Sequence, residues 1–422
     1  MIKGEKIRLD IHNILYSIYK HKKTLNSDSI IKIISKHDKK DISLLNNVVL
    51  NSMRYHFHAS NIIRKYIKKK IRDHERILFI SAITQIVFLD FKDYAVINCS
   101  VEIGKKLKIY HGLINAFLKK ISKNKKDLKQ IKIKFSDLPL WFIKKTNSLT
   151  VNQRKLFLRN FSQEPSIHIV FKDTEKLKIF EEKLIKTSPV SGFLVNKKDI
   201  RNIKSFEKGN WWIQDFSSFF PIQNLNISNK NKIFLDACAA PGGKSFQILS
   251  RKLKLTLNDI SASRIKTLKS NLDRLNFSQK VINKDFTKFD LSIKYDYIVI
   301  DAPCSSVGTI RKNPEIFFKN ESPNFGILNK LQENMLNQAS LLLNKNGIII
   351  YMVCSFLKNE TEDQIDRFLS RQKNFEIYNF NIINNKSEYS KLKSKNYMIT
   401  LPDVIKNFKI DGYFATYLKK IK

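Results

Sequence analysis

From the start of the chain to about residue 137, apolar residues recur at helical spacing. IRLDIHNILYSIYK (7–20) and LLNNVVLNSMRYHFHASNIIRKYIKK (44–69) both place them on one face. ERILFISAITQIVFLD (75–90) is apolar on every side, which predicts a buried central helix. No proline precedes Pro139, so nothing interrupts these helices, and an all-α bundle is expected over 1–137. The rhythm changes over 138–225. SIHIVF (166–171) and NWWIQD (210–215) read as short strands and TEKLKIFEEKLIKT (174–187) as a helix, together a small α+β module. Over 226–422 strand and helix alternate. The strands are KIFLDA (232–237), KLTLND (254–259), KVINKD (280–285), YDYIVIDAP (295–303) and GIIIYMVCS (347–355). Helices are expected at 245–253, 262–275 and 329–344 between them. This alternation predicts an α/β domain with a doubly wound parallel sheet and right-handed crossovers.

Composition narrows the class. At 422 residues the chain exceeds one ordinary core, consistent with three domains at 1–137, 138–225 and 226–422. No apolar run has the length of a membrane span, and the opening MIKGEKIRLD lacks a signal-peptide core. Four scattered cysteines without a CxxC pair argue against disulfides and cysteine zinc sites and fit a reducing cytoplasm. The eight histidines, His56 and His58 among them, form no metal-ligand set, so no metal is expected. The net charge of +39 is the footprint of a nucleic-acid binder. Part of it reflects a chain crowded with Lys, Asn and Ile. Yet residues 1–150 alone carry 32 basic against 12 acidic side chains, which favours a phosphate-rich partner. The stretch 119–134, with eight lysines and one acid, is either a solvated helix end or a phosphate-contacting edge. Trp211 and Trp212 sit in a short strand, where indoles serve in a core or domain interface more often than as stacking platforms.

The candidate chemistry lies at strand ends. Cys304 and Cys354 each follow a β-branched apolar run, which would carry both thiols to the edge where open α/β sheets bind ligands. Either one alone would more readily be a small core residue. A third element, FLDACAAPGGKS (234–245), feeds the same edge: its small residues let backbone approach a ligand, and a helix N-terminus follows. It is not a phosphate loop of a triphosphatase, since Cys238 stands where G-x-x-x-x-G-K-[ST] requires glycine. The dinucleotide fingerprint G-x-G-x-x-G is absent as well. The remaining fit is the first loop of an S-adenosylmethionine (SAM) enzyme. Asp259, Asp285 and Asp301 end successive strands; each alone could be a helix cap, but three in a row suggest ligand contacts.

These residues carry a resemblance. FEKGNWWIQDFSS, DACAAPGGKS, NDISASRIKTLKSNLDRLN, DAPCSSVGTIRKNPEI, VCSFLKNETEDQI and DGYFATYLKK, in that order, resemble the Sun/NSUN family of RNA cytosine-5 methyltransferases. HGLINAFLKKISK (111–123) resembles the NusB-like RNA-binding domain. The resemblance implies a Rossmann-like, class I SAM methyltransferase domain behind a NusB-like bundle. It implies that Cys238, Ala239, Ala240, Pro241, Gly242, Gly243 and Lys244, with Asp259, Asp285 and Asp301, bind S-adenosyl-L-methionine. By the same resemblance Cys354 is the nucleophile and Cys304 the base of product release. The chain departs from the family pattern at Lys284, Asn313, Val353, Lys358 and Asn359.

The implied activity is methyl transfer to carbon 5 of a cytosine in small-subunit ribosomal RNA. A thiolate added to carbon 6 makes carbon 5 nucleophilic, and a base must then remove the carbon-5 proton before the thiol can leave. DNA cytosine-5 enzymes use the cysteine of a Pro-Cys pair like Pro303-Cys304, so the chemistry alone leaves the two roles exchangeable; the resemblance assigns them. A tRNA methyltransferase and a non-catalytic ribosome-assembly factor are the alternatives. The protein is expected to act as a monomer, away from membranes.

Overall fold

The computed structural model describes residues 4–196, 199–203, 205–227, 229–319, 322–378, 392–394, 397–405 and 407–421. The chain divides into two compact units: Met1–Gln163 with Ile310–Pro323, and Glu164–Thr309 with Asn324–Lys422.

The first unit is helical, as its periodicity predicts. It contains α1 (Glu5–His21), α2 (Asp28–Ile34), α3 (Lys39–Arg54), α4 (His56–Tyr66), α5 (Asp73–Ile83), α6 (Asp93–Lys106), α7 (His111–Lys123), α8 (Lys125–Lys129), α9 (Leu140–Lys145) and α10 (Val151–Asn160). Every residue from Ile77 to Ile83 is buried, so α5 is the central helix that its all-round apolar sequence requires. One core gathers on α5, α6 and α7, with Phe79, Ile83, Ile103 and Phe117; another joins Ile11, Ile14 and Ile18 of α1 to Val48 and Val49 of α3. The apolar run 44–69 divides at Tyr55, whose ring stacks on Phe88 at 4.1 Å. The segment Ile310–Pro323 completes this unit: Phe317 packs on Phe57 and Phe142. Arg311 is fully buried, its Nε donating to the Asn160 carbonyl at 2.9 Å while its own carbonyl accepts from Arg54 Nε at 2.9 Å.

The second unit holds two principal sheets, a two-stranded pair of β13 (Asp403–Ile405) and β14 (Phe408–Ile410), and a helix α12 (Phe216–Gln223) that links the sheets in sequence. The smaller is antiparallel, in the order β2 (Leu184–Ser188), β3 (Ser191–Leu194), β1 (His168–Phe171), β4 (Trp211–Ile213). Here one expectation fails: 174–187 is not a single helix, because α11 stops at Thr174–Lys178 and the chain returns as β2. Helical periodicity in EKLKIFEEKLIK loses to pairing, since β3 is buried at every position and its open edge is satisfied by β2. Both tryptophans are core: Trp211 is wholly buried and its Nε1 donates to Ser205 Oγ, and Trp212 Nε1 donates to Gln214 Oε1, each at 3.0 Å.

The larger sheet runs β11 (Lys393–Ser394), β12 (Tyr397–Thr400), β15 (Tyr413–Lys420), β9 (Leu343–Val353), β8 (Tyr295–Asp301), β5 (Ile233–Asp236), β6 (Lys254–Asn258), β7 (Val281–Ile282), with β10 (Phe375–Tyr378) also on β15. From β7 to β9 all pairings are parallel, whereas β15, β12, β11 and β10 are antiparallel additions. The sheet is therefore mixed, where uniform parallel pairing was expected. Side chains of β9 alternate between two cores. Ile348, Ile350 and Met352 meet residues of α13 (Gly243–Ser250) and α14 (Ala262–Arg274); Ile349, Tyr351 and Val353 meet α15 (Phe325–Leu342) and α16 (Glu362–Arg371). A sheet covered on both faces needs apolar residues at consecutive positions, which is why YDYIVID and GIIIYMV read as unbroken runs. Each such side chain contributes roughly 1.5–3 kcal/mol by burial, so Val299→Asp would unfold this unit. The strand order reverses between β5 and β8, and ligand crevices of doubly wound sheets open at that reversal.

Candidate active site

The loop from β5 to α13 is shaped by close approaches. Gly242 has φ +121°, and a Cβ there would lie 1.9 Å from Phe246 Cζ, so glycine alone fits. Beneath the loop lies Asp236, which sequence reasoning passed over although it sits inside the motif. It is 1% exposed, accepts from Ser245 Oγ at 2.6 Å and from the Cys238 amide at 3.3 Å, and burial raises its pKa to about 6. Its function is architectural: it ties the end of β5 to the first turn of α13. Burial also pushes the Cys238 thiol upward, and the carboxylates of Asp236, Asp301 and Asp259 add to that, so the thiol stays protonated.

Asp259, just beyond β6, is 1% exposed and fully engaged: Oδ2 accepts from the Ala240 amide at 3.1 Å and Oδ1 from the Ser261 amide at 2.9 Å. Arg264 lies over it, 3.5 Å from Oδ2, and also donates to the Ala240 carbonyl. Asn258 clips the neighbouring strand, exchanging bonds of 3.1 Å with the Lys284 amide and carbonyl. Asp285 is not bonded to the other acids. Its Oδ1 caps the turn that follows, accepting from the Thr287 amide and hydroxyl, and its Oδ2 has no hydrogen-bond partner among the described residues. Asp301, at the end of β8, joins three elements: Lys244 Nζ lies 2.6 Å from Oδ2 and Tyr413 of β15 donates to Oδ1 at 2.9 Å.

The two cysteines meet. Cys304 follows β8, Cys354 follows β9, and their Sγ atoms lie 3.4 Å apart, both residues half-buried. Parallel pairing sets this: Asp301 faces Met352, and the Ala302 amide still donates to the Met352 carbonyl at 2.9 Å, so the two chains leave the sheet together. Ser306 Oγ is 3.4 Å from Cys354 Sγ. The Gly308 amide donates to the Cys354 carbonyl at 3.0 Å, and a Cβ on Gly308 would fall 1.8 Å from the Gly412 oxygen. Glu360, wholly buried, holds both thiol-bearing loops. Its Oε1 accepts from the Ser305 amide at 2.7 Å, and its Oε2 from Ser305 Oγ at 2.5 Å and Ser355 Oγ at 2.7 Å. The Cys304 pKa lies well above the usual thiol range, because it shares a proton with Cys354, is desolvated and faces both the Cys354 sulfur and Glu360. Cys304 is therefore held as a thiol. The fourth cysteine, Cys99, is buried in the helical unit.

A doubly wound sheet with a glycine-lined first loop, carboxylates along its edge and a paired-thiol corner defines a methyltransferase-type catalytic unit. Comparison with known proteins bears this out: residues 222–419 match the family described as 16S rRNA methyltransferase RsmB/F, and residues 5–123 match the NusB family. The two stretches are thus similar to an RsmB/F-type methyltransferase domain and to a NusB domain. It is similar to the probable ribosomal RNA small subunit methyltransferase B of Coxiella burnetii, 27% identical over 82% of this chain and 86% of that one. Among solved structures it resembles PH0851 (TM-score 0.70, 18% identity, 98% of each chain). It also resembles NSun6 from Pyrococcus horikoshii (TM-score 0.57, 17% identity, 67% of this chain and 98% of that one). These structural likenesses show the fold. Among the described residues no helix is long and apolar enough to cross a membrane.

Proposed function

We propose that this chain transfers a methyl group to carbon 5 of a cytosine in 16S ribosomal RNA, with Cys354 as nucleophile and Cys304 as the base that frees the product. The observation that carries this reading is the 3.4 Å approach of the two sulfurs at adjacent strand ends. RNA of the small subunit is supported by the matched family's description, by the name of the Coxiella relative and by the charge of +39.

The cofactor is S-adenosylmethionine, which supplies the electrophilic methyl group. The residues fit it. Gly242 leaves space that a Cβ would fill, and the amides of Gly243 and Lys244 open an eight-residue helix toward a carboxylate. Asp259 would accept from the ribose hydroxyls once Arg264 swings off it, and the open Oδ2 of Asp285 would accept from an adenine amino group. Lys244 neutralises Asp301 at the inner end of this row.

The proton sequence follows from the thiols. The nucleophile must react as a thiolate, and the Cys304 thiol and the Ser306 hydroxyl lie beside Cys354 Sγ, each at 3.4 Å. Cys354 Sγ would add to carbon 6 of cytosine, and the electron pair displaced onto carbon 5 would take the methyl group as its bond to the cofactor sulfur breaks, that bond's electrons staying on the sulfur. Cys354 is now a thioether and no longer shares a proton with Cys304, so the foremost cause of the high Cys304 pKa disappears. Cys304 loses its proton to solvent and takes the one on carbon 5. The electrons of that C–H bond re-form the ring double bond and expel Cys354 as thiolate. Glu360 fixes the spacing of the two sulfurs throughout.

Two variants test the assignment. Cys354→Ala should abolish methylation and form no adduct with RNA. Cys304→Ala should add and methylate but stall, accumulating a SAM-dependent protein–RNA complex that survives denaturing electrophoresis. An adduct in Cys354→Ala instead would exchange the roles; none in either would end the covalent mechanism.

A further inference from the structure

A cavity of about 300 Å³ opens in the helical unit where the last turn of α4 meets the start of α5. Four cations line it: Arg64, Lys69, Lys70 and Arg76. The acid at its rim, Asp137, is already satisfied by Asn61 Nδ2 at 2.9 Å, the Lys134 amide at 2.8 Å and Arg64 at 3.2 Å. Asp73 and Glu75 are likewise engaged, with Lys20 and with Arg72. Lys69, Lys70 and Arg76 form no ion pair among the described residues, and Asp73 feels Arg76 only at longer range, so the four cations that line the cavity face one acid, Asp137, that is already engaged. Such convergence is unfavourable in the free protein and is relieved by an anion.

The cavity has two further marks of a ligand site. His56 contributes a ring packed against Tyr19 and Phe318, and its Nδ1 is buried with no hydrogen-bond partner. Burial and the nearby Arg76 draw the His56 pKa down to about 3, so this ring is neutral. Ser60 adds a hydroxyl, and Phe57, Ile63, Ile67 and Ile71 give apolar wall. The Lys-rich stretch 119–134 differs: it does not line this cavity, and Lys125 and Lys129 are tied to Asp93 and Asp90.

We propose that this cavity seats one nucleotide of an RNA strand, the phosphate on Lys69, Lys70 and Arg76 and the ribose or base against the Phe57–Ile63–Ile71 wall. The proposal rests on the reading that the substrate is RNA. An acidic protein segment suits the site less well, because a carboxylate side chain has no flat or apolar body to fill the wall beside the cations.

The test uses the full chain without SAM, with a short fluorescein-labelled oligouridylate read by anisotropy across a salt series. Lys69→Ala/Lys70→Ala/Arg76→Ala should weaken binding at least ~30-fold at low salt and reduce the log–log salt slope by about 0.7, one single-strand phosphate being no longer neutralised. The charge-matched control Lys119→Ala/Lys126→Ala/Lys132→Ala should lose only a few-fold. Ser60→Phe, which fills the cavity and changes no charge, should lose roughly 10-fold, the scale of one stacking contact; circular dichroism and a thermal melt check folding of each. Equal losses in the two triple variants would overturn the proposal in favour of diffuse charge. So would wild-type affinity in Ser60→Phe. Displacement of the label by oligoglutamate or by inorganic phosphate as readily as by unlabelled RNA would overturn the RNA nucleotide as occupant. A wild-type protein that binds no RNA would instead remove the RNA reading itself.

Discussion

Three buried acids of the sheet unit and three histidines of the helical unit are held in opposite ways. In the sheet unit the buried acids Asp236, Asp259 and Glu360 are saturated with hydrogen bonds, each oxygen meeting a hydroxyl, an amide or a guanidinium. In the helical unit, where Glu5, Arg54, Arg311 and Glu315 are buried as well, three histidines behave otherwise. His12, His56 and His58 are held neutral, and the Nδ1 of each has no hydrogen-bond partner among the described residues. A charge kept in a dry interior must be paired, and the pairing fixes geometry to a fraction of an ångström; a neutral imidazole fills space and fixes little. The contrast separates a unit built for chemistry from one built to present a charged surface.

The contrast is sharpest in acid. Burial lowers His12 and His58 to about 4 and His56 to about 3 from an ordinary 6.5. The unfolded chain therefore takes up protons before the folded one does: stability is full above pH 6.5 and drains as the pH falls toward 4. Each imidazole should cost about 2 kcal/mol between pH 7 and 5. Asp236 works the other way. Its folded pKa is raised from 3.8 to about 6, so its destabilising effect grows as pH rises through that window and eases by about 1 kcal/mol on acidification. Calorimetry at pH 5 should show the helical transition moved well below that of the sheet unit. Parallel shifts of both transitions would erase the distinction.

Glu360→Ala would impose on the sheet unit what the helical unit tolerates, unpartnered buried donors. Three hydrogen bonds end on this carboxylate, and stability should drop by about 3 kcal/mol. Activity should fall further than stability, since the thiol-bearing loops are no longer joined; Glu360→Gln should recover the melting temperature better than the rate. Asp259→Ala should weaken SAM binding by roughly 1.5–3 kcal/mol, the worth of a charge-assisted hydrogen-bond pair, while the protein stays folded. Unchanged binding by calorimetry would make Asp259 purely an anchor for Ala240 and Arg264. The smallest effect belongs to Cys238→Ala. Its thiol is protonated and its loop role is carried by backbone, so SAM affinity should change by less than about 1 kcal/mol.

What the sequence disclosed follows the same physics. Strands buried on both faces announce themselves as β-branched runs, and a loop that needs positive φ announces itself with glycine, so the parallel core and the 234–245 loop were readable. β2 was not, because an edge strand with one buried residue in five carries no signature against the helical spacing of Thr174–Thr187. Nor was the mixed character of the sheet: β15 is as apolar as a parallel strand, and only its partners set its direction. Glu360 lies in KNETED, where nothing in spacing distinguishes it from Glu362 or Asp363; its importance comes from two serines brought to it by the fold. Arg264 was hidden likewise, on the solvent face of a helix whose neighbour supplies Asp259.

The contact of Gly308 with Gly412 bears on how this protein folds. The bond from the Gly412 amide to the Gly308 carbonyl, 2.9 Å long, closes a loop of about a hundred residues, and Ser217 Oγ reaches the Asp411 carbonyl across an even longer one. Such closures lose chain entropy before any contact compensates, and they slow folding. The helical unit, apart from its segment Ile310–Pro323, is closed by contacts such as that of Arg8 with Cys99, 91 residues apart, whereas the thiol corner waits on the strand end that Ser217 reaches across 194. During refolding the paired sulfurs should be brought together late, after the helices of the first unit have formed.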